Sequence, residues 1–248
     1  MFSYLKINIR KCLNQLKFIK SVNWFKSIYF NLKMLPFKQA KKLPILFYGK
    51  VKFTGLKGKI VFKDSIKFGM VGFGQNYELM SVSKGNAQLT LNGTFIIGGY
   101  IQFGKDFFVY VDQNAILEMG QMSSLGNSGK IICFNNIHFG NYARVGYESQ
   151  IIDTNFHKMI DLKTNIIGDI IKPIKIGNYN YIGNRVSLMK GTTTPDYCTV
   201  TSNSVLTKDY LMLGENLMLG GIPAKLLRTD IKRAWGEENI EDFLIVSK

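Results

Sequence analysis

The stretch that decides the fold is Ile176-Gly-Asn-Tyr-Asn-Tyr-Ile-Gly-Asn-Arg-Val186, in which the pair Ile-Gly returns after six residues. A hexapeptide period makes one short strand and one turn, so three hexapeptides close a triangular coil and successive coils stack as parallel strands. Each coil buries apolar area only against its neighbours, so several coils are needed for stability. The same step of six continues beyond this stretch through Leu188, Thr194, Val200 and Leu206.

Two upstream blocks repeat the pattern. Ordinary β-sandwiches are the alternative, but aliphatic-Gly pairs six residues apart in three separate blocks favour a parallel β-helix. We expect the aliphatic side chain to point into the prism and the following glycine to relieve crowding at the corner, where its backbone freedom is useful. Before residue 90 the pattern degenerates to Ile60, Ile66 and Gly69. The upstream blocks are Phe139, Val145 and Ile151 with Gly140 and Gly146, and Ile97, Phe103 and Val109 with Gly98 and Gly104.

The positive charge is concentrated at the N-terminus. The chain of 248 residues has a formal net charge of +15, and 14 of its 32 Lys and Arg residues lie within residues 1–60. The first acidic residue is Asp64, and the remainder of the chain is nearly neutral. The basic pI therefore describes one segment and does not indicate a nucleic-acid partner.

Three parts follow from these patterns: a basic amphipathic helical arm at 1–45, the β-helix at 46–206 with a loop at 153–175, and a C-terminal segment at 207–248. In the arm, Leu5, Ile9, Leu13, Leu16 and Ile19 recur at helical spacing. Two alternatives stay open for it. Residues 1–35 either contact an anionic membrane surface, or dock on their own domain or a neighbouring subunit.

The C-terminal segment has helical signals again. Pro223 is a suitable first residue of a helix that would cap the open end of the stack. Its apolar face would comprise Leu226, Leu227, Ile231 and Trp235, followed after Gly236 by Ile240, Phe243 and Leu244.

The cysteines and the N-terminus predict a cytoplasmic protein. Cys12, Cys133 and Cys198 show neither metal spacing nor a disulfide framework, so reduced thiols are expected. Residues 1–30 lack the clean apolar stretch of a signal peptide, and no apolar run is long enough to span a membrane.

Three motifs resemble those of the hexapeptide-repeat acyltransferases, and among them the bacterial sugar and polysaccharide O-acetyltransferases. They are Ile151-Ile-Asp-Thr-Asn-Phe-His157, the stretch 176–186, and Ser202-Asn-Ser-Val-Leu-Thr-Lys-Asp209 followed by Gly221-Ile-Pro-Ala-Lys225. The resemblance implies an all-β, left-handed β-helix, a homotrimer with active sites between adjacent subunits, and acetyl-CoA in an outer groove of the prism. The sequence departs from the family's pattern at Tyr181, where Trp is usual, and at Pro195 and Thr201, where Gly is usual. The connection from Asp209 to Gly221 is also longer than usual.

The resemblance also implies the chemistry, which is transfer of acetyl from acetyl-CoA to a hydroxyl of a saccharide, including lipid-linked acceptors. His157 would be the general base, because it follows a break in the six-residue period where a loop must leave the prism. Asp153 and Asn155 would orient it, unless they are turn-forming residues, and Glu148 is a further candidate partner. His138 lies inside the repeat and is expected to pack there.

Seven positions are candidates for the acetyl-CoA site: six match the family's pattern, and the seventh, Tyr181, is expected to pack either on the cofactor or between coils. Thin pantetheine can run beside coils with small side chains, and the cationic residues are suited to the nucleotide phosphates. No metal is expected, since two histidines cannot supply a three-histidine zinc site. The seven positions are Tyr181, Asn184, Ser202, Thr207, Lys208, Lys225 and Arg228.

Two other functions stay open. One is an N-acetyltransferase that acts on an amino sugar. The other is a non-catalytic β-helix scaffold that binds a membrane or a partner through its basic arm.

Overall fold

The computed structural model describes residues 17–75 and 82–235, and in these ranges the chain winds into a triangular prism. Three parallel sheets form its faces, and the chain passes from face 1 to face 2 to face 3 and back in every coil. In spatial order, face 1 contains β1 (Ile45–Phe47), β4 (Val71–Gln75), β7 (Ile101–Gly104), β10 (Ser123–Leu125), β13 (Arg144–Val145), β18 (Tyr181–Ile182), β20 (Thr199–Val200), β22 (Met218–Gly221) and β23 (Ala224–Arg228). Face 2 contains β2 (Lys52–Leu56), β5 (Gln88–Leu91), β8 (Phe108–Val111), β11 (Lys130–Cys133), β14 (Gln150–Ile152), β19 (Ser187–Met189) and β21 (Val205–Leu206). Face 3 contains β17 (Ile174–Ile176), β12 (Asn136–Phe139), β9 (Ile116–Met119), β6 (Thr94–Ile97) and β3 (Lys59–Phe62).

The hexapeptide positions form the core, as the sequence predicts. Phe139 pairs in register with Ile176, and Val145 pairs with Ile182 in the next face. All of the aliphatic repeat positions between residues 97 and 206 are at most 2% exposed. The prediction of inward-pointing stacks is therefore confirmed. The prism also extends further toward the N-terminus than the repeat does, since β1 already pairs with β4.

The glycines after these positions are needed for space, and the prediction that they need special backbone angles is wrong. Neither Gly140 nor Gly183 has a positive φ; that conformation falls two residues later, on Tyr142 (56°) and Arg185 (55°). A Cβ atom on Gly183 would stand 2.7 Å from the backbone nitrogen of Ser202 in the next coil. Coils approach too closely at these corners for any side chain.

Helices close the N-terminal end of the prism. Residues 17–21 are helical, and α1 (Trp24–Met34) and α2 (Phe37–Ala40) follow. The ring of Phe30 lies 5.0 Å from that of Phe47 and 5.6 Å from that of Phe53. This part of the arm thus docks on its own domain, whereas Leu5, Ile9, Leu13 and Leu16 lie outside the described residues. In the described ranges, no helix has both the length and the apolar character required to cross a bilayer.

The C-terminal segment differs from the prediction. The helix expected from Pro223 is wrong through Trp235, because the chain turns at a cis Ile222–Pro223 bond and returns as β23, and residues 229–235 are not helical. That strand pairs antiparallel with β22 and thereby satisfies the free edge of face 1, which a helix would leave unpaired. A short 3-10 turn at Leu211–Leu213 is the helical element here, and Ile240, Phe243 and Leu244 lie outside the described residues.

Candidate functional site

The chain leaves the prism after β14 and returns at β17, and the intervening residues 153–173 form a projecting hairpin, here termed the hairpin arm. Its two short strands, β15 (Ile160–Asp161) and β16 (Ile166–Ile167), pair antiparallel. The carboxylate of Asp161 accepts hydrogen bonds from the backbone N–H groups of Lys163 (2.8 Å) and Thr164 (3.1 Å), which closes the turn at the tip. A loop on a rigid scaffold is a favoured place for binding and catalysis.

His157 lies on the outgoing side of the hairpin arm and is exposed. In the described ranges 17–75 and 82–235, its side chain has no hydrogen-bond or ion-pair partner. Its neighbour Phe156 anchors the segment, because the Phe156 ring packs edge-on against Phe134 at 5.6 Å. Phe156 also has φ of 61°, an unusual conformation for a bulky residue, which sets the backbone direction into His157. The imidazole is thus exposed to solvent on a backbone segment that the packing of Phe156 holds in place.

Asp153 stands at the foot of the hairpin arm and is fully buried. Its two carboxylate oxygens accept hydrogen bonds of 2.8 Å from the backbone N–H groups of Phe134 and Asn135 in the coil before it. Burial raises the pKa of this carboxyl, and these hydrogen bonds act in the opposite direction. The contacts of Asp153 therefore fasten the arm to the prism.

The other predicted partners of His157 have contacts of their own. The backbone N–H of Asn155 donates to the carbonyl of Ile170 at 2.9 Å and so joins the two sides of the arm. Glu148 accepts a 2.7 Å hydrogen bond from Arg185 in the next coil. Neither contact involves the imidazole.

Asn184 and Ser202 lie together on the prism edge between faces 1 and 2. The side-chain oxygen of Asn184 accepts from the backbone N–H of Tyr147 at 3.1 Å, and the hydroxyl of Ser202 accepts from the backbone N–H of Asn184 at 3.0 Å. Both side chains thus tie one coil to the next, a role that the sequence analysis missed. Their spacing of 18 residues, one coil, was the available signal.

Thr207 and Lys208 follow β21 on the edge between faces 2 and 3, the edge from which the hairpin arm projects. Both are exposed, and the Lys208 ammonium lies 5.6 Å from the centre of the Tyr210 ring. Between them and the arm, Lys190 donates a hydrogen bond to the carbonyl of Asp169. The arm and two of the predicted acetyl-CoA residues therefore share one edge.

Tyr181 lines a cleft of about 380 Å³ on face 1, which it shares with Thr199, Met218 and the segment 231–233. The guanidinium of Arg233 lies 5.0 Å from the centre of the Tyr181 ring, so the cleft combines an aromatic wall with a cation. Lys225 and Arg228 are exposed on β23 of the same face. Arg233 was missed because the apolar spacing around it indicated a helix.

A stack of tyrosines was also missed. The rings of Tyr142, Tyr179 and Tyr197 lie one above another on the edge between faces 3 and 1, with centroids 4.9 and 5.0 Å apart. Trp235 packs edge-on against Tyr179 at 5.8 Å. Each tyrosine stands two residues after the corner position, and this regularity is visible in the sequence.

The two described cysteines are unsuited to act as nucleophiles. Cys133 and Cys198 are both fully buried in the prism. Burial raises the pKa of the Cys198 thiol to about 12 and that of Cys133 further. Because the thiolate is the reactive form, neither is poised to carry an acyl group.

The second histidine packs on face 3. His138 Nδ1 lies 3.4 Å from the carboxylate of Glu118, which also binds Lys63. Burial lowers the pKa of His138, so its neutral form is favoured.

Comparison with solved structures supports the fold. The crystal structure of the polySia specific acetyltransferase NeuO is similar over 80% of this chain and 83% of that chain, with a TM-score of 0.53 at 19% sequence identity. The chain has the fold of the left-handed β-helix acetyltransferases. The polysialic acid O-acetyltransferase OatWY gives a TM-score of 0.49 at 19% identity over 77% of this chain and 95% of that one. A hexapeptide-repeat containing acetyltransferase from Vibrio cholerae gives 0.44 at 21% identity over 52% and 70%. No protein-family model matches the sequence.

Proposed function

We propose that the protein transfers an acetyl group from acetyl-CoA to a hydroxyl of a saccharide, with His157 as the general base. The observation that carries the proposal is the hairpin arm, which interrupts a regular prism to present an imidazole that the fold itself does not use. The similarity in fold to an acetyltransferase specific for polySia supports the substrate class. An amino sugar as acceptor remains the alternative within the same reaction class.

The proposed chemistry is direct transfer. A neutral imidazole nitrogen of His157 takes the proton of the acceptor hydroxyl as its oxygen forms a bond to the thioester carbon. Collapse of the tetrahedral intermediate breaks the carbon–sulfur bond, and the imidazolium returns the proton to the thiolate of CoA. Burial of Cys133 and Cys198 supports a path without an acyl-enzyme.

We further propose that each site forms between two copies of the chain in a homotrimer. The arm and Thr207 lie on one edge of the prism, whereas Asn184 and Ser202 lie on another, so one copy does not gather them. The arm also exposes apolar side chains that a second copy would cover. They are Phe156 (54% exposed), Met159 (65%), Ile160 (48%), Leu162 (90%), Ile166 (64%) and Ile167 (56%).

The residues predicted to hold acetyl-CoA fit in part. Lys208, Lys225 and Arg228 are exposed cations that suit its phosphates. Asn184 and Ser202 use their side chains within the prism, so we assign them to the wall of the groove, with contact through their backbone and outer atoms. Tyr181 faces the cleft with Arg233 and suits a flat ring.

The test is acetyl transfer to a panel of saccharides, followed by release of the CoA thiol and by mass spectrometry of the sugars. The chain offers a matched control, because it has only two histidines. We expect His157→Ala to lower kcat by about 10²–10⁴-fold, the usual contribution of a general base, and His138→Gln to leave it nearly unchanged. Wild-type transfer by His157→Ala contradicts the mechanism. A product that resists mild base identifies an amide and favours the amino-sugar alternative, and absence of any transfer favours a scaffold.

The shared site has its own test. His157→Ala removes the base, and Ser202→Tyr blocks the groove at an exposed position. If each site combines the arm of one copy with the groove of another, then mixed trimers of these two inactive variants regain about a quarter of the wild-type sites by random assembly. No recovery after mixing would place the whole site within one chain.

A further inference from the structure

Within the described residues, the outward side of the N-terminal helices carries exposed apolar side chains, of which Tyr29 also stacks on Phe53 with ring centroids 6.2 Å apart. Helix α1 has a buried face and an exposed apolar face. Its inner face, with Ser27, Phe30 and Asn31, is buried against the first coil. The outer face carries an apolar stripe that begins at Phe25, two residues before the buried Ser27. Two residues correspond to about 200° around a helix of 3.6 residues per turn, so the stripe lies nearly opposite the buried face. This stripe consists of Phe25 (78% exposed), Ile28 (43%), Tyr29 (47%) and Leu32 (54%), and Phe37 of α2 (73%) lies beyond it.

Buried hydrogen bonds fix the orientation of α1, so the helix does not rotate to bury its outer stripe. Asn31 donates a hydrogen bond of 2.7 Å to the carbonyl of Ile45, and the hydroxyl of Ser27 accepts one of 2.9 Å from the backbone N–H of Phe47. These bonds are buried and attach α1 to β1. The exposed stripe is therefore a fixed surface of the protein.

The same surface is strongly basic. Five lysines lie in α1, α2 and the residues just after them; four are exposed, and the half-buried Lys26 has its ammonium 4.9 Å from the centre of the Phe53 ring. No acidic residue precedes Asp64 in the sequence. Within the part of the chain that the structure describes, none of the five forms an ion pair. With the apolar stripe they define what we term the cap surface. The five are Lys26, Lys33, Lys38, Lys41 and Lys42.

We infer that the cap surface binds an anionic lipid bilayer. Exposed aromatic and aliphatic side chains enter the boundary between headgroups and acyl chains, while the surrounding lysines attract anionic headgroups. A second copy is disfavoured as occupant, since docking two cap surfaces would oppose lysine to lysine. A nucleic acid would match the charge and leave the apolar stripe exposed.

The location suits this role. Helix α1 lies over the open end of the prism, and the hairpin arm projects from an edge several coils away. A bilayer on the cap surface thus leaves His157 free. In a cyclic assembly, equivalent ends of all copies lie on the same side, so several cap surfaces would meet one membrane and strengthen binding by avidity.

The test is sedimentation of the full chain with phosphatidylcholine vesicles that contain or lack phosphatidylglycerol. We expect binding to the anionic vesicles, and a loss of about 25-fold for Lys33→Gln/Lys38→Gln, since each lysine near an anionic surface contributes about fivefold. The matched control Lys84→Gln/Lys175→Gln, which removes the same charge elsewhere, should bind as the wild type does. Phe25→Ser/Phe37→Ser keeps every charge and should lose at least about tenfold.

Three results of the vesicle assay overturn the inference. They are equal binding of the wild type to vesicles with and without phosphatidylglycerol, equal loss in the control variant, and unchanged binding of both cap variants. A changed sedimentation coefficient of the cap variants without lipid would assign the surface to a second copy and also overturn it. Because all substituted side chains are exposed, thermal unfolding should be unaltered. Acetyl transfer to a soluble saccharide is expected to be unaffected, which separates this test from that of the proposed function.

Discussion

Replacing Asp153 with alanine separates two roles that the residue is predicted to have. The sequence suggests that Asp153 orients His157, whereas its contacts fasten the hairpin arm to the prism. Both oxygens accept backbone N–H groups, from Phe134 and Asn135, at 2.8 Å. Alanine would leave both of these donors without their acceptor. The variant therefore tests whether the arm depends on this carboxylate.

The expected loss of stability follows from those two bonds. Leaving a buried backbone donor unsatisfied costs about 1–3 kcal/mol, so two donors set a range of about 2–6 kcal/mol. Burying a charged carboxylate costs free energy, which is why burial raises the pKa of Asp153. The substitution removes that cost, and this offsets part of the lost stability. We expect the free energy of unfolding to fall by about 2–4 kcal/mol. His157→Ala should leave it within about 0.5 kcal/mol, because that side chain is exposed.

The assay is denaturant unfolding of both variants, followed by acetyl transfer under conditions in which each is folded. We expect the two effects to separate: Asp153→Ala loses stability, and His157→Ala loses turnover. Asp153→Asn should fall between, since its amide can accept only one of the two N–H groups. The reasoning is refuted if Asp153→Ala unfolds at the wild-type denaturant concentration. In that case its contacts to the preceding coil would contribute nothing.

Three further predictions concern the prism. Gly183→Ala should destabilise the fold by about 1–3 kcal/mol in denaturant unfolding, because its Cβ would stand 2.7 Å from the backbone of Ser202, and an unchanged midpoint would contradict that closeness. Tyr179→Ala should cost about 1–3 kcal/mol in the same assay, since it removes the middle ring of a stack with two contacts near 5 Å, whereas Tyr179→Phe keeps both. The lowered pKa of His138 means that the unfolded chain, with an ordinary value of 6.5, binds the proton more tightly than the folded one. Its contribution to stability is therefore present above pH 6.5 and lost as the pH falls below it, so His138→Gln should lose less stability than the wild type between about pH 7.5 and about pH 5.5. Equal losses would count against the lowered pKa.

The sequence by itself determined the prism, the identity of its inward residues and the position of the break that becomes the hairpin arm. A period of six is a local property, and each residue at that period meets its counterpart one coil later whatever the rest of the chain does. The stack of Phe139 on Ile176 and of Val145 on Ile182 follows from this regularity.

Only the tertiary structure decided what the polar side chains do. The hairpin arm lengthens one coil, so Asn184 contacts Tyr147, 37 residues away, as well as Ser202, 18 residues away. Asp153 likewise reaches back 19 residues to Phe134, rather than along the chain to His157. The C-terminal strand was missed for a related reason. The apolar spacing from Pro223 onward fits a helix locally, but the unpaired edge of β22 offers hydrogen bonds that only a strand can make, and an edge is a property of the assembled sheet.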